Sequence, residues 1–570
     1  MFFFKDISQK KLIKTVNKGL KQIDIPLELN ATGICNGLVF LAIEYFLLNQ
    51  KEKFFEDLEK LIEFKDPHQA LPMILRLMIL FRPQDFSLDL TQLQSYQLIK
   101  HSETPIKPTF VFGAVMTQKN WIAFFNQLNL QEDEMVLVSS PQHVVYLMRK
   151  GVQYQLYDPN EEAGEKNCKS PKSLINALSE ALNLGDVMGL EVQVFQKVGP
   201  QIHLKDSKSF YDLVVPDLTL QLEGKSYNSL KLALRLNDPY CLEYFKNDIN
   251  EKTLKMAVLY KADAIVEALV TSYEVKIGLN DSLMKEAICW SLGYGSYKIF
   301  NDLIKKEKFS RVLTSGILDS QSFVFIGHAI FGEHPELFEQ VLRICTQGLY
   351  KKSLMFDLKF RKKDGKSIAT DLLINAVGKS QHQITASLIT FYQDNGISFN
   401  EFEKQCLLIA AIQSNDLVYL LKIIESYPPE NFSNLRLNIF NVYEMCPELI
   451  NELKAKGVSL SFWQECCLQS KDSMFLSIVF CVAMYFMYAY RWVCDLTRHP
   501  MKSIYFEELS KVLEEIDIFK QLANLKEMAQ VFKTKKPKVI DELDNETKPL
   551  LQEESNGSLP RSHNFLFHQF

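Results

Sequence analysis

Between residues 225 and 462 the chain loosely repeats itself, and this limits its possible folds more than any single motif does. The copies are 230–245 (LKLALRLNDPYCLEYF), 254–269 (LKMAVLYKADAIVEAL), 284–303 (MKEAICWSLGYGSYKIFNDL), 325–342 (FIGHAIFGEHPELFEQVL), 372–389 (LLINAVGKSQHQITASLI) and 407–424 (LLIAAIQSNDLVYLLKII). A weaker seventh covers 439–453 (IFNVYEMCPELINEL). Each is a short apolar helix, a polar break and a second apolar helix. Such a unit cannot bury both of its faces alone, so the copies are expected to stack. Glycine (22) and proline (20) are scarce in 570 residues, below the usual share of about 7% and about 5%. That scarcity disfavours turn-rich sandwiches and propellers and favours helices.

Residues 1–205 have a different texture. The segment 32–48 (TGICNGLVFLAIEYFLL) predicts a turn, then a buried helix with Thr32 and Gly33 as cap residues at its start and one charge, Glu44. Short β-type runs follow at 135–139 (MVLVS), 143–148 (HVVYLM) and 152–157 (VQYQLY), the last two joined by Arg149-Lys150-Gly151 as in a hairpin. The run 190–195 (LEVQVF) alternates with period two. The expected class is therefore α+β: an N-terminal helix-plus-antiparallel-sheet domain, a mostly helical solenoid and C-terminal helices at 500–535. Length alone suggests three or four units.

The eleven cysteines are odd in number, dispersed in apolar surroundings and never spaced CxxC. Neither structural zinc nor a disulfide framework is expected, nor any cofactor. A net charge of −5 with no long basic block gives no footprint for a general nucleic-acid partner. The opening MFFFKD has no basic region leading into an apolar run, so no secretory signal peptide is expected.

Three residues in the first region suggest chemistry. Cys35 stands at a predicted helix start, where the helix dipole and unpaired N–H groups stabilise a thiolate. His143 opens one strand and Asp158 closes the next, in Tyr157-Asp158-Pro159-Asn160. Antiparallel pairing of those strands brings imidazole and carboxylate to one face, in the order nucleophilic catalysis needs. Taken singly, each has a plain structural explanation: a core cysteine, a solvated histidine, a turn aspartate.

In combination they resemble the papain-like cysteine proteases of the YopT-like Cys–His–Asp type, over about residues 25–200. The resemblance implies Cys35 as nucleophile, His143 as base, Asp158 as orienting carboxylate and Asn30 in the oxyanion hole, where that family more often has glutamine. The helical copies resemble ankyrin repeats, best at Ala410-Ala411, Asn415-Asp416 and Leu420-Leu421. They lack the Thr-Pro-Leu-His signature, and their spacing varies from 24 to 47 residues, which also suits an irregular helical bundle. The whole resembles the ankyrin-bearing type IV secreted effectors of Legionella, with 536–570 as a polar tail similar to a translocation signal. This implies action in the host cell, with a host protein gripped by the repeat turns at Asn237-Asp238, Lys261-Ala262-Asp263, Glu333-His334 and Asn415-Asp416. The alternative expectation is a non-catalytic protease-like scaffold that recruits its partner.

Residues 474–490 (MFLSIVFCVAMYFMYAY) carry no charge. As a helix they would extend roughly 25 Å, the short limit for a ~30 Å hydrocarbon core. Aromatics crowd one end and cations flank both, so 474–494 is expected to enter an intracellular membrane or lipid-droplet surface through Val479, Phe480, Met484, Phe486 and Trp492. Burial between the repeats and the C-terminal helices is the other reading.

Overall fold

The computed structural model describes residues 6–429 and 447–458, apart from 24, 26, 87, 102–103, 163, 198–205, 320, 349 and 415. The chain divides into two compact units. The first comprises Met1–Leu435 with Cys446–Leu449, and the second Arg436–Met445 with Ile450–Phe570. Apart from the last helix, whose residues fall in both units, the fold described below lies in the first.

It is α+β. Four helices come first: α1 (Gln9–Gln22), α2 (Cys35–Leu47), α3 (Lys51–Glu63) and α4 (Pro67–Phe81). The six strands of the main sheet follow: β1 (Phe110–Thr117), β2 (Glu134–Ser139), β3 (Val144–Lys150), β4 (Gln153–Tyr157), β5 (Glu165–Cys168) and β6 (Val187–Gln196). They form one antiparallel sheet in the order β1-β6-β2-β3-β4-β5. Strands β1 and β5 go beyond the runs expected from the sequence. The β3–β4 turn is also tighter than expected, because Arg149 and Lys150 pair within the ladder and only Gly151-Val152 turns. Gly151 takes the left-handed conformation (φ 63°) that a two-residue hairpin turn needs.

Both sheet faces are covered. One packs on α2, whose Phe40 meets Phe195 edge to face at 6.3 Å. A Cβ at Gly37 would fall 2.5 Å from the Leu77 carbonyl, so this glycine lets α2 lie directly against α4. Glu44, the one charge of α2, forms a two-pronged ion pair with Arg76 of α4. The other face carries α5 (Gln118–Leu128) and α6 (Pro171–Ala181), with Phe112 stacked on Phe124 at 5.0 Å. Phe210 joins that cluster at 4.8 Å from Phe124, so the sheet layer's packing runs past residue 205.

The helical pairs follow: α7 (Ser229–Arg235) with α8 (Cys241–Tyr244), and α9 (Glu251–Leu259) with α10 (Asp263–Ser272). After the one-turn α11 (Glu274–Ile277) comes α12 (Asp281–Gly293) with α13 (Tyr297–Ile304), then α14 (Glu307–Leu318). Next are α15 (Ser322–Phe331) with α16 (Pro335–Cys345), α17 (Tyr350–Lys359), α18 (Ile368–Gly378) with α19 (His382–Asp394), and α20 (Glu401–Gln413) with α21 (Leu417–Ser426). The helix Pro447–Ala455 is the last described element.

The pairs share a turn device that no residue type marks. Asn237, Lys261, Gly295, Glu333 and Ser380 each follow the first helix of a pair with φ between 54° and 61°. Around Lys261 the Ala262 N–H reaches back to Ala257 O and the Lys261 N–H to Val258 O, and Asn237, Gly295 and Ser380 repeat the pattern. This is the left-handed helix stop that satisfies the last carbonyls. Successive turns also bond to each other: Asn237 Nδ2 donates to Asp263 Oδ1 at 2.6 Å, and Lys379 pairs with Glu333 at 2.6 Å.

Sheet domain and helical pairs are joined by polar contacts. Asp89 accepts from the Lys298 N–H at 3.0 Å and pairs with Lys261 at 2.6 Å, while Gln94 Nε2 donates to Lys261 O at 3.0 Å. Arg235 of α7 pairs with Glu191, a fully buried carboxylate of β6, at 2.9 Å.

Candidate active site

Cys35 is the first residue of α2 and is half-buried. The helix starts there because Ile34 accepts its first hydrogen bond from Leu38 N–H, while Gly33 (φ 137°) adopts a backbone that disfavours a side chain. Ile34's own N–H donates to Gln9 Oε1 at 2.8 Å. No side chain of the 30–34 turn caps α2.

His143 ends the four-residue loop between β2 and β3. Ser140 shapes that loop: its hydroxyl accepts from the His143 N–H at 3.2 Å, and its N–H donates to His143 O at 2.9 Å. The β3–β4 register pairs Tyr146 with Tyr157, so continuing it sets position 143 opposite 160, with 158 on the diagonal. His143 Nε2 lies 2.7 Å from Asp158 Oδ1, with the residues 9% and 5% exposed. The Cys35 sulfur lies near enough to the same ring to act on its charge. With Nε2 facing Asp158, Nδ1 is the nitrogen left for sulfur.

Burial opposes charge on this imidazole, but the Asp158 hydrogen bond and the Cys35 sulfur outweigh it and raise the His143 pKa to about 9. The ring is therefore held as an imidazolium at neutral pH. Asp158 is held in turn, since its Oδ1 also accepts the Asn160 N–H at 2.9 Å.

Two further side chains belong to the cluster. Asn160 Nδ2 sits 3.2 Å from His143 Nε2. Gln9, only 7% exposed, donates from Nε2 to Asn160 Oδ1 at 2.5 Å. Their orientation follows from donor counting: the Ile34 N–H fixes Gln9 Oε1, so Gln9 Nε2 needs the acceptor that Asn160 Oδ1 supplies. The backbone adds to the strap, with Gln9 N–H donating to Pro159 O at 2.7 Å and Ile7 N–H to Glu162 O at 3.2 Å.

Asn160 stands in the quoted Asp-Pro-Asn motif, and its alignment with position 143 was available from the hairpin register. Gln9 left no signal, because nothing local in α1 points 25 residues ahead to Ile34. Asn30 makes only local bonds: its Oδ1 accepts from Thr32 N–H at 2.8 Å and Thr32 Oγ1 at 2.5 Å, and its carbonyl accepts from Gly33 N–H. It shapes the turn before α2.

No family model, curated protein or solved structure matches this chain.

Away from Cys35, a cleft of about 770 Å³ opens between residues 84–93 and the turns of the helical pairs, lined among others by Arg235, Tyr260, Lys261, His334, Lys379 and His382. Several turn residues expected to meet a partner are engaged within the fold. Lys261 is paired with Asp89 and Asp263 with Lys298, while His334 caps α16 by accepting from Leu337 N–H at 3.3 Å. Among the described residues no group of three or more His, Cys, Asp or Glu side chains is arranged to hold a metal ion, and no helix is long and apolar enough to cross a membrane. Val479, Phe480, Met484, Phe486 and Trp492, with the segments 474–494, 500–535 and 536–570, lie outside the described residues.

Proposed function

We propose that the chain is a thiol hydrolase of papain-like type, a protease or deamidase, carried by an ankyrin-like docking array. The observation that carries this reading is the buried histidine bonded to a carboxylate with a helix-start cysteine beside it: His143 bonded to Asp158, and the Cys35 sulfur acting on the same ring. In the proposed reaction the proton already rests on His143 beside a Cys35 thiolate, and the thiolate attacks an amide carbonyl carbon. The imidazolium returns the proton to the departing amine as the C–N bond breaks and a thioester forms. Water, deprotonated by His143, then attacks the thioester, releasing the acid and restoring the thiolate beside the imidazolium. Asp158 keeps the ring oriented and stabilises its charged form. For the oxyanion, the Cys35 backbone N–H at the start of α2 is the donor, with Asn30 as its proposed companion.

The reading extends to an effector delivered by type IV secretion into a host cell, where the ankyrin-like pairs grip a host protein and 474–494 meets a membrane or lipid-droplet surface. The paired helices with recurring left-handed turns support the ankyrin-like part.

A broad thiol-reactive probe should label Cys35 faster than the other cysteines, and His143→Ala should remove the preference. Equal labelling of both proteins would overturn the hydrolase. A second reading, a non-catalytic scaffold, is favoured by the 770 Å³ cleft lying on the array and away from Cys35. It requires that Cys35→Ala leave the protein's effect in cells intact.

A further inference from the structure

We infer that residues 350–366, on α17 and the turn after it, form a docking surface for an anionic membrane. The segment YKKSLMFDLKFRKKDGK holds seven Lys and Arg against two Asp, a local surplus of five positive charges in a chain whose net charge is −5. The surplus is available to a partner. Lys351, Lys352, Lys359 and Lys363 are exposed and make no ion pair among the described residues, whereas Arg361 is paired with Glu403, and Lys362 and Lys366 with Asp371.

Large apolar side chains stand among these cations. Phe356 is 74% exposed and Phe360 57%, while Leu354 and Leu358 on the opposite side of α17 are buried. Phe356 lies four residues after Lys352 and three before Lys359, so the three share one exposed helical face. Phe402, half exposed, continues the surface, its ring 3.8 Å from where a Cβ of Gly365 would sit.

Phe356 and Phe360, four residues apart, together leave apolar surface in water that a partner can cover. An anionic bilayer suits both rings and lysines: the rings enter the acyl boundary while the ammonium groups remain among the headgroups. The Coulombic part is attractive only for an anionic surface and weakens with salt. This surface shares no residue with the Cys35 cluster or with 474–494, and the inference does not depend on the hydrolase reading.

The test uses the full chain with phosphatidylcholine vesicles, with or without phosphatidylserine, doped with a photoactivatable phospholipid whose crosslinks are mapped by mass spectrometry. Mapping keeps the result independent of any other segment that binds lipid. Crosslinks should fall within 350–366 only when phosphatidylserine is present, and should fade at high salt. Phe356→Ser with Phe360→Ser should reduce them about tenfold, as should Lys352→Glu with Lys359→Glu. Both pairs are exposed, so folding should survive, as circular dichroism can check. Crosslinks that map only elsewhere, that form equally on neutral vesicles, or that survive both double substitutions would overturn the proposal.

Discussion

Gln9 Nε2 donates to Asn160 Oδ1 across 2.5 Å, although 151 positions separate the two residues in the chain. Through Oε1 the same amide holds the Ile34 N–H at the start of the Cys35 helix. One side chain thus ties the sulfur side of the cluster to its imidazole side.

Gln9→Ala should leave the buried Ile34 N–H without a partner, at about 1–3 kcal/mol, and free Asn160 to turn. The expected result is a lower melting temperature and a roughly tenfold slower alkylation of Cys35 by iodoacetamide, since 1.4 kcal/mol of misplacement corresponds to one decade. Gln9→Glu separates the two effects. It keeps an acceptor for Ile34, restoring stability, but its second oxygen repels Asn160 Oδ1 and reverses that amide. Asn160 Oδ1 would then face the imidazolium, so the His143 midpoint should rise in this variant and not in Gln9→Ala.

His143 titrates near 9 rather than 6.5 because Asp158 and Cys35 outweigh its burial. A histidine whose pKa rises on folding stabilises the fold in its protonated form. That contribution is complete below about pH 6.5 and fades as the pH climbs through 9. Asp158→Asn should lower the midpoint seen by NMR of the imidazole protons. The stability gap between wild type and this variant should be widest at pH 6 and narrow steadily towards pH 10. A constant gap would mean that Asp158 acts on packing alone.

Glu191 is fully buried, and burial raises its pKa despite the nearby Arg235 guanidinium and the Ser139 hydroxyl. Arg235→Met should destabilise the protein by about 3–5 kcal/mol, because it removes the cation and leaves the carboxylate behind. Arg235→Met with Glu191→Gln should recover much of that loss in urea denaturation.

Gly332 and Gly378 provide a matched pair. A Cβ at Gly332 would lie 1.9 Å from Leu292 O, whereas one at Gly378 meets nothing within 4 Å. Gly332→Ala should therefore lose about 1–3 kcal/mol by forcing α12 and α15 apart. Gly378→Ala should gain about 0.5–1 kcal/mol, because alanine restricts the unfolded chain at no steric cost. Thermal melts of the two variants should shift in opposite directions.

The sequence was most informative where local pattern and packing agree. The run at 32–48 reads as a buried helix and is one, and the period-two runs lie in the strands they suggest. Strand β1 was harder to recognise, because FVFGAVMT is apolar on both faces and cannot be told from a buried helix by periodicity. Strand β5, EKNC, is short and half polar because it is an edge. The repeat turns were hidden for a different reason. Their shared property is a backbone angle, occupied in turn by Asn, Lys, Gly, Glu and Ser, and no residue type reports it. In the cluster, His143 and Asp158 were legible because one hairpin carries both. Gln9 was not, because its partners are chosen by tertiary folding alone.

The strap made by Ile7 and Gln9 has a consequence for the order in which the protein comes into being. These residues leave the ribosome some 150 residues ahead of their partners at 159–162. The sheet beneath His143 closes later still, when β6 slides between β1 and β2. A nascent chain therefore displays the Cys35 thiol long before His143 and Asp158 are paired beside it. Contacts this distant in sequence form slowly, so the cluster is among the last features to assemble, and a stalled or truncated chain would carry Cys35 without its paired His143 and Asp158.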